Sequence, residues 1–182
     1  MRLLFFNISK FIMRLIYNKE FLVGKWFEYP NIQGYKWCWK CLFGQKILRN
    51  NGKTPFPVSN KIIIGNHKNL IFHVDDLNNF QHYGCYFQNY RGKITLGRGT
   101  YVAPNVGLIT ENHNLKNLSL HDEAKDINIG ENCWIGMNSV ILPGVSLGNQ
   151  TIVGAGSIVT KSFSEGKCVI AGNPARLIRK LD

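Results

Sequence analysis

Residues 127–164 read INIGENCWIGMNSVILPGVSLGNQTIVGAGSIVTKSFS, and this stretch is an internal repeat. Aliphatic side chains recur at every sixth position, at Ile129, Ile135, Ile141, Leu147, Val153 and Val159. A period of six fits neither the turn of an α-helix, at about 3.6 residues, nor the simple alternation of a strand. It is typical of a parallel β-helix, in which each hexapeptide forms one short strand and one corner. The repeat therefore predicts a solenoid with the aliphatic side chains inside.

One short sequence motif occurs three times along the chain and indicates where coils begin. Its three copies are residues 62–65, 94–97 and 127–130. Between the first two copies the six-residue spacing becomes irregular around residues 75–86, which predicts an interrupting loop. After His113 the phase is lost until Ile127, so residues 111–126 are predicted to form an excursion from a coil of three hexapeptides. Long excursions from a rigid coil often carry function, because the coil holds them in place.

Charge is distributed unevenly along the chain of 182 residues, whose formal net charge is +11. Residues 1–53 hold ten Lys or Arg residues and only two acidic ones. This asymmetry indicates an anionic partner such as phospholipid, nucleic acid or a charged substrate. No nucleic-acid motif accompanies the basic residues, so no nucleic acid is expected as a partner.

The sequence predicts a cytoplasmic protein. No apolar run reaches the roughly 18 residues of a membrane span, and Lys10, Arg14 and Lys19 interrupt any signal-peptide core. Five cysteines are an odd number, which favours reduced thiols over a disulfide framework. Cys38 and Cys41 form a C-x-x-C pair with no second pair to complete a zinc site, so no metal is expected.

The first 60 residues are predicted to form a separate N-terminal unit, a basic amphipathic helix over residues 1–27 followed by a cap. In the helix, apolar residues recur at spacings of three and four, at Leu4, Ile8, Phe11, Ile12, Leu15 and Ile16. Two interpretations stay open: contact with an anionic membrane surface, and packing on a neighbouring subunit. The aromatic-rich residues 26–39 are predicted to form an irregular cap over the open end of the solenoid, whose last strands need cover.

Several phrases together resemble those of the hexapeptide-repeat acyltransferases. They are Asn-His at 112–113, Cys-Trp-Ile-Gly at 133–136, Ile-Leu-Pro-Gly-Val at 141–145, Val-Gly-Ala-Gly-Ser at 153–157 and Gly-Asn-Pro-Ala at 172–175. The resemblance covers roughly residues 60–178 and is greatest to the serine acetyltransferase-like and polysaccharide O-acetyltransferase branch. It implies a mainly β fold, a left-handed parallel β-helix over residues 61–182 ending in a short C-terminal tail or helix. It also implies a homotrimer with acetyl-CoA lying between adjacent coils.

The resemblance further implies acetyl transfer to a hydroxyl group, which needs a base to remove the hydroxyl proton. Histidine suits this task because its free pKa is about 6.5, and His113 matches the catalytic position of the family. A second group usually orients such a histidine. The candidates left open are Glu111, Asp122, Glu123, Asp76 and backbone carbonyl groups. Asn112, His121 and Asp76 are predicted to contact the acceptor, although His121 fits a loop-capping role equally well.

Positions for acetyl-CoA follow from the resemblance as well. The pantetheine arm would lie along Trp134, Gly136, Ser139, Ala155 and Gly156. For the small residues, ordinary coil geometry is a sufficient alternative explanation. Pro174 would abut the adenine, and the phosphates would be neutralised by Lys161, Arg176 or Arg179. The basic residues near the C-terminus also fit a merely exposed basic tail.

The acceptor expected from this branch is a sugar or glycan hydroxyl. The helical N-terminal domain of serine acetyltransferases is not evident in the first 60 residues, which disfavours serine. A small-molecule acetyltransferase of that type and a non-catalytic scaffold remain the alternatives. His113 and His121 lack a close third histidine, so a zinc-dependent reaction is not expected.

Overall fold

The computed structural model describes all 182 residues and contains a three-sided parallel β-helix. Side 1 consists of β1 (Ile63–Ile64), β3 (Tyr86–Gln88), β6 (Gly107–Ile109), β9 (Val140–Ile141) and β12 (Ile158–Val159). Side 2 consists of β2 (Leu70–Ile71), β4 (Ile94–Leu96), β7 (Ile127–Ile129) and β10 (Ser146–Leu147). Side 3 consists of β5 (Tyr101–Val102), β8 (Trp134–Ile135), β11 (Thr151–Val153), β13 (Cys168–Gly172) and β14 (Ala175–Lys180). The predicted β-helix is confirmed.

The register between coils follows from the six-residue repeat. The paired residues are Ile129 with Leu147, Ile135 with Val153 and Ile141 with Val159. Each partner lies 18 positions further along the chain, which is three hexapeptides and confirms the predicted coil. All six side chains are buried, and burying such a side chain contributes about 1.5–3 kcal/mol. The repeat therefore sets both the pairing and the core.

Buried hydroxyl groups close the corners between strands. Ser139 and Ser157 both donate to the carbonyl of Gly154, at 3.0 and 2.6 Å, and Thr151 donates to the carbonyl of Gly148 at 2.7 Å. Ser139 is fully buried, so its side chain has no surface to offer a ligand. The prediction that Ser139 contacts pantetheine is thus wrong, and corner closure accounts for its identity.

The predicted interruption of the first coil is a 3₁₀ helix over Val74–Phe80, which takes the place of a strand on side 3. Asn79 pairs with the edge of β5 as a strand would: its amide donates to Thr100 O at 2.8 Å and its carbonyl accepts from Val102 N at 2.9 Å. Asp76 is buried, and its carboxylate accepts from Gly99 N at 2.8 Å. Asp76 therefore anchors this helix and is not the predicted acceptor contact.

The N-terminal region contains α1 (Arg2–Met13) and α2 (Gln33–Leu42), with a π-helix over Phe43–Ile47. The helix predicted over residues 1–27 therefore ends at Met13. The cap predicted as irregular over residues 26–39 includes most of α2. Aromatic side chains on both helices pack in the hydrophobic core of the solenoid. The N-terminal region therefore consists of amphipathic helices whose apolar faces cover the solenoid.

The outer edge of β1 is closed by a side chain from the N-terminal region. Asn51 donates to Ile62 O at 2.7 Å and accepts from Ile64 N at 3.1 Å, so its amide takes the place of a neighbouring strand. Gln45 is fully buried and donates to Phe56 O at 2.8 Å while accepting from Val58 N at 3.2 Å. These two amides hold the region against the first coil.

The C-terminal segment forms strand β14, not the predicted tail or helix. It pairs antiparallel with β13 and covers the edge that the last coil would otherwise expose. All five cysteines are free and buried. No helix is both long and apolar enough to cross a membrane.

Candidate active site

The predicted excursion is a folded insertion at the corner between side 1 and side 2, between the ends of β6 and β7. We call residues 111–126 the inserted hairpin. Its two halves are joined by backbone hydrogen bonds from Asp122 N to Asn112 O at 2.9 Å and from Asn114 N to Leu120 O at 2.9 Å. The insertion therefore has a defined shape from which a side chain can be presented.

His113 lies opposite His121 in this hairpin, and both side chains are exposed. The two rings are 4.3 Å apart between centroids, at an interplanar angle of 33°. His113 Nδ1 lies 2.8 Å from the carbonyl oxygen of Leu118. A carbonyl only accepts, so Nδ1 carries the hydrogen and Nε2 carries the lone pair when the ring is neutral. The neutral ring of His113 therefore carries its unprotonated nitrogen at Nε2.

The orienting group is thus a backbone carbonyl, one of the alternatives that the sequence left open. Glu111 is buried and pairs with Arg91, whose Nε donates to it at 2.5 Å. The same arginine donates to Asp122 O at 3.3 Å, on the returning half of the hairpin. The carboxylate of Asp122 accepts from Asn114 Nδ2 at 2.8 Å. These carboxylates hold the hairpin together and do not contact His113.

A recess of about 360 Å³ opens on side 3 beside Trp134. Trp134 and Tyr101 are neighbours on adjacent strands, and each side chain is about half exposed (55% and 56%). The recess is also lined by Asn78, whose Oδ1 is buried and has no hydrogen-bond partner in the chain. Sequence reasoning found Trp134 but missed Tyr101 and Asn78, because the 3₁₀ helix that carries Asn78 has no hexapeptide phase.

His82 forms another wall of this recess. Its Nε2 donates to Val102 O at 2.8 Å, and burial lowers the pKa of the ring from its usual value. The ring is therefore held neutral, with Nδ1 as its remaining acceptor. The recess combines aromatic surface with uncharged polar atoms.

The residues predicted for pantetheine cluster at the corner between side 3 and side 1. Gly136 is buried there, and a Cβ at this position would lie 2.6 Å from Val153 O. Close approach of adjacent coils accounts for this glycine. Ala155 and Gly156 are exposed one coil further on. Of this group, Trp134, Ala155 and Gly156 present surface that a ligand can contact.

The residues predicted for the nucleotide end are spread over several corners. Pro174 is exposed at the turn between β13 and β14, at the corner between side 3 and side 1. Arg176 pairs with Ala171 near that turn, whereas Arg179 pairs with Val169 towards the other end of the hairpin. Lys161 follows β12 at the corner between side 1 and side 2. Of the three predicted phosphate contacts, Arg176 is the one that lies close to the turn with Pro174.

His113 and the exposed residues around Trp134 lie on different corners of the prism. The inserted hairpin leaves between sides 1 and 2, whereas Ala155 and Gly156 lie between sides 3 and 1. No hydrogen bond joins His113 to any predicted pantetheine residue. No group of three His, Cys, Asp or Glu side chains is placed to hold a metal ion.

Comparisons with known proteins agree with this coil of hexapeptides. Residues 126–161 match the family described as bacterial transferase hexapeptide (six repeats). The galactoside O-acetyltransferase of Escherichia coli K12 is 40% identical over 97 residues, which are 49% of this chain and 45% of that protein. The chain spans about half the length of the curated relatives it matches.

Solved structures show the same likeness. A maltose O-acetyltransferase from Clostridium difficile 630 is 32% identical, with a TM-score of 0.51 over 67% of this chain and 60% of that one. A hexapeptide-repeat acetyltransferase from Vibrio cholerae, complexed with acetyl coenzyme A, is 26% identical with a TM-score of 0.52 over 71% and 64%. The resemblance to hexapeptide-repeat acetyltransferases is confirmed.

Proposed function

We propose that this protein transfers an acetyl group from acetyl-CoA to a hydroxyl group of a sugar or glycan, with His113 as the general base. The observation that carries the proposal is the hydrogen bond from His113 Nδ1 to Leu118 O, which leaves Nε2 free to take a proton. The similar proteins named as galactoside and maltose O-acetyltransferases support a sugar acceptor. Asn112 and His121 are exposed beside His113 and are proposed to contact that acceptor.

The chemistry proposed for His113 is proton transfer in two directions. Nε2 takes the proton of the acceptor hydroxyl as its oxygen attacks the thioester carbonyl carbon. When the carbon–sulfur bond breaks, the imidazolium returns this proton to the departing thiolate. The products are an acetyl ester and free coenzyme A, and the ring is neutral again. The fixed tautomer suits both steps, because the same nitrogen faces the reacting atoms throughout.

We also propose where acetyl-CoA lies. Trp134 offers its exposed face to the pantetheine arm, and Ala155 and Gly156 let the arm approach the backbone at the next coil. Pro174 would meet the adenine, with the neighbouring Arg176 on the phosphates. Lys161 and Arg179 lie at other corners, and we propose that they contact the phosphates of a nucleotide bound at an adjacent protomer.

A homotrimer of left-handed coils completes the proposal. The inserted hairpin and the corner that carries Ala155 and Gly156 are separated by side 1. A neighbouring protomer that places its own corner against the hairpin would bring His113 to the bound thioester. Each of three equivalent interfaces would then hold one site.

Turnover of acetyl-CoA with a set of acceptors tests the proposed reaction. Release of the coenzyme A thiol is measured with galactosides, maltose, other sugars and serine. We expect turnover with at least one sugar and none with serine. Turnover with serine alone would replace the sugar acceptor by a small-molecule one, and binding of acetyl-CoA without turnover on any acceptor would favour a scaffold.

Mixing two variants that are each expected to be impaired tests the shared site. His113→Ala and Trp134→Ala protomers are co-expressed with different affinity tags, and mixed oligomers are isolated through both tags. If the site lies between protomers, some interfaces carry neither substitution, and we expect activity to return in the mixture. No recovery in mixed oligomers of confirmed mass would contradict an intersubunit site while leaving the reaction itself in place.

A further inference from the structure

Helix α1 has two apolar faces, and only one of them is used inside the chain. Phe6 and Met13 point into the common core and are buried. We call the opposite row the outer stripe: Leu4, Ile8, Phe11 and, in the turn after α1, Leu15. These four side chains are between 48% and 77% exposed. At about 3.6 residues per turn they lie within one narrow sector of the helix, opposite Phe6 and Met13.

A second exposed apolar row runs beside α1. The indole N–H of Trp39 on α2 donates to Ser9 Oγ on α1 at 2.9 Å, which fixes the two helices to each other. Phe43 and Ile47 continue the row from Trp39 at a spacing of four and are 63% and 67% exposed. Exposed apolar side chains therefore occur on both helices of the N-terminal region, and exposed apolar patches often mark binding sites.

The charge of the N-terminal region selects the kind of partner. Residues 1–53 carry ten basic and two acidic side chains, a formal charge of +8 (ten less two). None of the ten cations takes part in an ion pair, since all four ion pairs of the chain lie elsewhere. A second copy that docked through its own outer stripe would bring the same charge and be repelled. An anionic partner with an apolar interior meets both properties.

We propose that this surface docks on an anionic phospholipid bilayer. The outer stripe inserts among the acyl chains at the interface while exposed cations such as Arg14 and Lys40 meet the lipid phosphates. Because α1 has only 12 residues and spans no membrane, it lies in the plane of the interface. This inference is independent of the acetyl-transfer reaction, since it uses none of the residues proposed for that site.

Vesicle co-sedimentation of the full chain tests this proposal. The vesicles consist of phosphatidylcholine alone or of equal amounts of phosphatidylcholine and phosphatidylglycerol. We expect binding to the phosphatidylglycerol vesicles only. Phe11→Ser/Leu15→Ser is expected to weaken this binding by about tenfold or more. Arg14→Gln/Lys40→Gln is expected to weaken it by about thirtyfold, since each basic residue near an anionic surface contributes about a factor of five.

Matched substitutions on the solenoid serve as controls. Lys68→Gln/Lys93→Gln removes the same charge from exposed positions, and Leu115→Ser/Ile178→Thr removes two exposed apolar side chains. Both controls are expected to bind vesicles as the unchanged protein does. Point variants are preferable to deleting α1, because deletion would also remove Phe6 and Met13 from the core.

Three results would overturn the proposal. The first is an unchanged protein that binds neither vesicle or binds both equally. The second is binding by the two test variants that equals that of the controls. The third is self-association in analytical ultracentrifugation that Phe11→Ser/Leu15→Ser abolishes without any effect on vesicle binding, which would assign the surface to a second copy.

Discussion

The two halves of the solenoid differ in how far they keep the repeat. From β7 onwards the coils run without interruption, and their inner positions hold aliphatic side chains and corner hydroxyls. Before β7 the repeat is broken twice, by the 3₁₀ helix at Val74–Phe80 and by the inserted hairpin. His113 and Asn78, which carry the proposed base and the buried polar atom without a partner, belong to these interruptions. Regular coils supply rigidity, and interruptions supply chemical groups.

The largest effect, a loss of stability, is expected from shortening a buried side chain inside a regular coil. Ile135 is fully buried and lies between Val102 and Val153 on neighbouring coils. Ile135→Ala leaves a cavity that the rigid coils cannot close, so we expect the free energy of unfolding to fall by about 2–5 kcal/mol. Urea denaturation followed by circular dichroism measures this loss.

The matched control for this substitution lies in the inserted hairpin. Leu115 is 93% exposed, and Leu115→Ala is expected to change the free energy of unfolding by no more than about 0.5 kcal/mol. Equal losses at Ile135 and Leu115 would contradict the division between a rigid repeat and a peripheral insertion.

Substituting His113 should lower activity without lowering stability, which is the reverse of the effect expected at Ile135. His113→Ala removes the proposed base, so we expect kcat to fall about 100-fold or more. The side chain is exposed, so the thermal midpoint and the affinity for acetyl-CoA should stay unchanged. Steady-state kinetics and calorimetry measure both. Turnover that stays within about threefold of the unchanged protein would exclude His113 as the base.

The smallest effect is expected where the two regions meet. Arg91 joins buried Glu111 to the returning half of the hairpin. Arg91→Met leaves that carboxylate without its partner, so we expect the hairpin to open more often and kcat to fall by about tenfold. Hydrogen exchange of the hairpin amides should increase, while exchange in β7 to β12 should not.

Two further variants separate positioning from general damage. Arg91→Met/Glu111→Gln removes the uncompensated charge and should regain part of the lost activity. Arg98→Met removes an arginine that pairs with Asp75 at the other interruption, and it should leave hairpin exchange unchanged. A similar rise in hairpin exchange for Arg98→Met would remove the specific role of Arg91.

Sequence reasoning was most accurate where structure depends on local spacing. The period of six predicted the coil of three hexapeptides, and its loss after His113 predicted the insertion. Predictions failed where a side chain replaced backbone or where a segment found a distant edge. Ser139 closes a corner, Asp76 holds the 3₁₀ helix, and residues 175–180 add a strand to β13. None of these contacts has a periodic signal.

The N-terminal helix also shows that a sequence pattern does not reveal every tertiary contact. Its sequence contains two apolar rows, and the row that sequence reasoning emphasised, with Leu4 and Phe11, is the exposed one. The buried row includes Met13 and Phe6, and the ring of Phe6 packs on Tyr35 of α2. A hydrophobic pattern predicts an amphipathic helix but cannot tell which row packs inside when both are apolar.

The sequence by itself determined the direction of each side chain in the coils, because a six-residue spacing fixes which residues face inward whatever else the chain does. It also located the insertion and its histidine. Only the tertiary structure decided that Leu118 O orients His113, since a backbone carbonyl is the same at every residue and leaves no mark in the sequence. The tertiary structure also decided the recess beside Trp134, because the walls of this recess come from segments that are brought together only when successive coils stack.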